Sequence, residues 1–177
     1  MAINPTNGDI AYIAGAFIVI YGVKSSKQEK FLKLERCRPF QCLTYSKNGD
    51  YFAACEASLK QPDIVIWQVT DSNEYVHQYT LSGHKFGVQS IKFSPNTDYL
   101  ISLGDANDRG LFVWDFKSQK RVSSNKLGKL VNAFAFEQSQ KYFVTAGYSH
   151  LKFWYFDENG KVKIQNGVSQ QEGILES

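Results

Sequence analysis

Four side chains have the types and spacing to share protons in a buried chain: His84, Ser102, Asp108 and Trp114. A buried imidazole can accept from a serine hydroxyl and be oriented at its other nitrogen by a turn aspartate. The hydroxyl can in turn accept from an indole N–H. Asp105 competes with Asp108 for the carboxylate role. Such a network fixes strand register, and a catalytic reading of His84 finds no support elsewhere in the chain. There is no Gly-Lys-Ser or Gly-Lys-Thr phosphate loop, no Gly-x-Ser-x-Gly elbow and no His-x-x-x-His metal pair. Acidic residues are scattered through turns rather than paired. No catalytic residue, metal site or cofactor is expected.

The elements that position these residues repeat. Phe40-Gln-Cys-Leu-Thr-Tyr-Ser46, Val88-Gln-Ser-Ile-Lys-Phe-Ser94 and Val131-Asn-Ala-Phe-Ala-Phe-Glu137 are copies of one motif. Each is followed by a turn and a Tyr-led apolar run: Tyr51-Phe-Ala-Ala, Tyr99-Leu-Ile-Ser and Tyr142-Phe-Val-Thr. Each unit then reaches a Trp at the end of an apolar run, at Trp67, Trp114 and Trp154, which lie 47 and 40 residues apart. That interval matches the roughly 40–45 residues of a four-stranded propeller blade. Short runs at about ten-residue spacing, without a helical period, predict an all-β chain.

The expected boundaries follow. A partial first blade spans about 1–36, with strands at Ile10–Ala14 and Phe17–Tyr21 and an outer strand at Lys30–Glu35; Tyr21 takes the place of the later tryptophans. Further blades span about 37–82, 83–128 and 129–165, the last with an outer strand at Lys161–Gln165, and 166–177 reads as a loose polar tail. About three and a half blades are expected, an incomplete β-propeller, whereas rings typically need four to eight. Open edges then call for completion by more chain, a second copy or another protein. A small four-bladed ring is the alternative.

Bulk properties suit a folded, soluble interaction module: 177 residues, 15% aromatic, 21% charged, net charge +3. Cys37, Cys42 and Cys55 have no metal-ligand spacing and read as reduced, mostly buried thiols of a cytoplasmic protein. The apolar run Ile10–Tyr21 lacks a preceding basic residue and is too short to span a bilayer, so no membrane insertion is expected. Of the remaining histidines, His77 reads as an outer-strand residue facing solvent and His150 as a turn residue; the fourth repeat holds Thr145, His150 and Trp154 but Tyr155 in place of an Asp, and a weaker network is expected there.

Basic residues cluster twice, at Lys24, Lys27, Lys30, Lys33, Arg36 and Arg38, and at Lys117, Lys120, Arg121, Lys126 and Lys129. Both stretches fall on outer strands, where lysine protects sheet edges or forms a basic rim for acidic polymers. The rim underlies the alternative reading, a nucleic-acid or ribonucleoprotein module. Partner-contact candidates from blade geometry are Lys85, Phe86, Asn107, Arg109, Lys129 and Tyr148, joined by Lys117, Lys120 and Arg121 from the rim.

Gly83-His84 followed by Trp114-Asp115 is the pair that names the WD repeat; the other repeats are degenerate. The stretch Gly83–Pro95 and the stretch Tyr142–Tyr155 resemble the N-terminal propeller of the mitogen-activated protein kinase-binding protein 1 family, which includes a related spindle-pole scaffold. Asn4-Pro5, Ala11–Gly15, Ser124-Asn-Lys126 and Glu172-Gly-Ile-Leu175 extend the resemblance over nearly the whole chain. It implies a non-catalytic protein-interaction scaffold in a cytoskeletal assembly (microtubule, centrosome, spindle pole or cilium) or a kinase-signalling assembly. The implied partners are other proteins, with tubulin or a kinase-cascade component among them.

Overall fold

The computed structural model describes residues 1–157 and 161–166. Apolar runs broken by turn residues form four antiparallel sheets of four strands, each in simple sequence order. The first holds β1 (Ala2–Ile3), β2 (Ile10–Ala14), β3 (Phe17–Gly22) and β4 (Lys27–Leu32). The second holds β5 (Phe40–Tyr45), β6 (Tyr51–Glu56), β7 (Asp63–Val69) and β8 (Tyr75–Ser82). The third holds β9 (Val88–Phe93), β10 (Tyr99–Gly104), β11 (Gly110–Asp115) and β12 (Lys120–Lys126). The fourth holds β13 (Val131–Phe136), β14 (Tyr142–Gly147), β15 (His150–Phe156) and β16 (Val162–Asn166).

The first blade, expected to be partial, has four strands, so there are four four-stranded sheets among the described residues rather than three and a half; its inner strand has only two residues, paired through Ala2↔Ala11 and Ile3↔Ile10. Its outer strand lies at Lys27–Leu32, three residues earlier than the Lys30–Glu35 expected. Most of its charged side chains face solvent, so no alternation marked its ends. The last outer strand is Val162–Asn166 rather than Lys161–Gln165. Asn166, expected to begin the tail, closes that strand; the rest of the expected tail and the Glu172–Leu175 match lie outside the described residues.

Alternation along the middle strands divides each sheet between two cores. Phe52, Ala54, Val65 and Trp67 face the first blade, where they meet Ala11, Ile18 and Ile20. Ala53, Cys55, Ile64 and Ile66 face the third, against Val88, Ile91, Leu100 and Trp114. Ile101, Leu103, Leu111 and Val113 face the fourth, against Phe134, Phe143 and Trp154. Every core is therefore shared by two neighbouring sheets. Among the described residues no hydrogen bond joins the first sheet to the fourth, and the ring is not closed.

A bulge recurs at one place in the outer pairing, between Ile20 and Tyr21, between Ile66 and Trp67, and between Val113 and Trp114. Tyr21 thus occupies the register position of the later tryptophans. The thiols are less uniform than expected: Cys55 is buried, but Cys42 is partly exposed and Cys37 lies at the surface in a left-handed turn (φ 45°).

Candidate functional site

The third blade builds its polar network from the linker 83–87 and the turn between β10 and β11. Trp114 Nε1–H donates to Ser102 Oγ at 2.8 Å. Ser102 Oγ lies 2.7 Å from His84 Nε2, and His84 Nδ1 lies 2.8 Å from Asp108 Oδ1. Burial lowers the His84 pKa despite the neighbouring carboxylate. The ring is therefore neutral, Nδ1–H donates to Asp108, and Ser102 O–H donates to Nε2. Burial opposes ionisation of Asp108, but the His84 hydrogen bond and the Phe86 and Lys85 backbone N–H groups hold its pKa below the usual value. Its Oδ2 accepts from those N–H groups at 3.1 and 2.8 Å, and its Oδ1 also accepts from Gly110 N–H at 2.9 Å.

Asp105 plays a different part: its Oδ1 accepts from the N–H groups of Asn107 and Asp108 and shapes the turn that aims Asp108. Gly104 is required beside it, because a Cβ there would collide with the Asp108 carboxylate. His84 stacks on Phe112 with ring centroids 4.2 Å apart, and the Arg121 guanidinium sits 4.6 Å from the Phe112 centroid. Each group in the chain is committed to a structural partner.

The fourth blade reaches the same arrangement by another route. Trp154 Nε1–H donates to Thr145 Oγ1 at 2.8 Å, and Thr145 Oγ1 lies 2.9 Å from His150 Nε2. His150 is not a turn residue but the buried first residue of β15, paired with Gly147. The linker position of His84 is filled here by buried Leu127, four residues before its inner strand. The sequence set Thr145, His150 and Trp154 together as a weaker network but read His150 as a turn residue, because it comes from the hairpin rather than from the linker.

The partner-contact candidates divide into two surfaces. Lys85 and Phe86 are tied by their backbone to the turn carrying Asn107 and Arg109. Leu127 N–H donates to Arg109 C=O, and Lys129 Nζ donates to Ser149 C=O, next to Tyr148. These six residues therefore follow one line of linkers and turns along the third and fourth blades. Phe86 and Tyr148 project from it, 44% and 84% exposed. Lys117, Lys120 and Arg121 belong instead to β12 and its hairpin. In the first basic cluster Lys30 pairs with Glu74, Arg38 with Glu56 at 3.2 Å, and Arg36 with Asp63 at 3.7 Å. His77 is exposed on β8, 3.3 Å from Thr80 Oγ1.

Residues 75–115 match the family described as WD domain, G-beta repeat. The mouse mitogen-activated protein kinase-binding protein 1 is 34% identical over 168 residues, covering 95% of this chain. The pig WD repeat-containing protein 62 is 34% identical over 174 residues, covering 97%. The Chlamydomonas reinhardtii cilia- and flagella-associated protein 52 is 28% identical over 165 residues, covering 90% of this chain and 26% of its own length. The chain spans 11% of the length of the first two. The His84–Ser102–Trp114 linkage, the four sequential sheets and the matched repeat agree: the chain belongs to the WD40-repeat family.

Proposed function

We propose that this chain is a non-catalytic protein-interaction scaffold within a larger cytoplasmic assembly, of cytoskeletal (microtubule, centrosomal or ciliary) or kinase-signalling type. One observation carries the reading. The buried titratable groups of the two networks are spent on orienting strands, while the turns above them present an exposed Phe, Tyr and basic residues. Aromatic and arginine side chains at the centre of a patch are the usual energetic anchors of protein interfaces. The names of the relatives, kinase-binding and cilia- and flagella-associated, point to the two kinds of assembly. Tubulin and kinase-cascade components are the partners proposed. The pairing of Lys30, Arg36 and Arg38 with carboxylates speaks against the nucleic-acid alternative.

The test is microtubule co-sedimentation together with binding to purified mitogen-activated kinase-cascade components. Saturable binding to one of them is expected, lost in Phe86→Ala/Arg109→Glu/Tyr148→Ala with unfolding unchanged. A folded chain that binds neither, or a triple variant that binds normally, overturns the reading.

A further inference from the structure

Register equates three positions that the blades fill differently. Directly across from each Trp, and then two residues on, stand Ser102 in the third blade, Thr145 in the fourth and Ala54 in the second. The second blade therefore lacks the hydroxyl that receives the indole N–H elsewhere. The partner of Ser102 across the sheet is Phe112, on which His84 stacks, whereas the partner of Ala54 is Val65. The linker entering the second blade, residues 33–39, contains no histidine. Leu34 is only partly buried there, and the side chain of Arg36 is 68% exposed.

Two contractions at one place, phenyl to isopropyl and imidazole to nothing, leave a void beside Trp67. The structure has a cavity of about 670 Å³ at this place, lined by Leu34, Val65, Trp67, Glu56 and Asp63 and rimmed by His77. That volume lies within the roughly 300–1,000 Å³ of ligand pockets. Trp67 is 4% exposed, and its indole N–H finds no acceptor among the described residues, unlike those of Trp114 and Trp154. An acceptor brought into the cavity would pair with this donor. Two carboxylates also line the space. Asp63 Oδ1 accepts from Ser82 at 2.5 Å while its Oδ2 lies 3.7 Å from Arg36, and Glu56 Oε2 accepts from Arg38 at 3.2 Å, which leaves lone pairs on Glu56 Oε1 for a further donor.

We propose that this cavity is a receptor site for a histidine side chain presented by an extended segment of a partner protein. The imidazole would take the place that His84 fills one blade away, with the indole N–H donating to it directly because Ala54 has no hydroxyl to stand between them. One nitrogen accepts from Trp67 Nε1–H, the other donates to Glu56 or Asp63, and the ring covers Val65. The third and fourth blades both satisfy this part of the fold with an imidazole, which is why an imidazole is the occupant named. Two of the chain's three histidines are used up in those blades, and His77 is exposed and bonded to Thr80, so the occupant is none of these. The site does not rest on the turn surface or on which assembly the chain joins.

The test follows the three indole N–H resonances of ¹⁵N-labelled protein, with Trp67→Phe assigning its peak. The probes are N-acetylhistidine methylamide and the corresponding phenylalanine and alanine amides. A saturable shift of the Trp67 peak by the histidine amide alone is expected, with the Trp114 and Trp154 peaks unmoved. Glu56→Gln/Asp63→Asn should weaken it. An unmoved Trp67 peak overturns the proposal, as does an equal response to the phenylalanine or alanine amide, or an undiminished shift in Glu56→Gln/Asp63→Asn.

Discussion

His84 and His150 are both held neutral by burial, so the folded chain binds fewer protons at these rings than the unfolded chain in mildly acidic solution. Stability rises with pH wherever the unfolded state holds more protons. The contribution of each ring is therefore complete above its unfolded value of 6.5 and is lost as pH falls from there toward the lower folded pKa. Asp108 adds a loss of the same sign at lower pH, as acid protonates a carboxylate that the fold holds ionised. Urea unfolding should show a midpoint that falls as pH drops through the histidine range, and the fall should be smaller in His84→Leu. A midpoint flat across that range would contradict the neutral assignment. At this scale the sequence was half legible. Gly83-His84 and Trp114-Asp115 announced one network through fixed spacing. His150 hid in a hairpin, and the second-blade cavity is made of residues that are missing, which no motif records.

The hairpins set the register of every sheet, and they do so with left-handed residues at repeated places. In the inner hairpins these are Gly49, Thr97 and Gln140, with φ of 81°, 67° and 63°. Their N–H groups donate to Ser46, Ser94 and Glu137 carbonyls in the same way. Threonine is poorly suited to this region, because its branched side chain crowds the backbone there. Thr97→Gly should therefore stabilise the chain by about 1 kcal/mol, a gain partly offset by the entropy glycine adds to the unfolded state. Chemical denaturation would detect that shift, and a loss of stability would show that Thr97 is not strained. The strands these turns join were legible because Tyr-led apolar runs alternate between two buried faces. β4 was placed three residues late because Lys27–Leu32 is largely solvent-exposed and carries no such contrast. β1, with two residues, is too short to show any period.

Across the whole molecule the three shared cores leave two sheet faces without a neighbouring blade. On the first sheet, Phe17 and Phe31 project from the side opposite Ile18 and Ile20, 43% and 56% exposed. On the fourth, Tyr142 packs against Phe153 and Tyr155, and Leu151 is 53% exposed, on the side opposite Trp154. Contiguous apolar surface of this kind drives association. Light scattering should find the purified chain heavier than one copy at high concentration, and Leu151→Glu/Phe153→Lys should return it toward one copy without lowering its unfolding midpoint. A wild-type chain that stays at one copy throughout would show these faces to be self-sufficient.

The sharing of cores also has a mechanical meaning. The second and third sheets are each gripped on both sides, the first and fourth on one side only. Tension applied along such a row is resisted least at its extremities and most at its centre. A pulled chain should therefore give way from the outside inward, yielding in separate steps while the two middle sheets hold the tether.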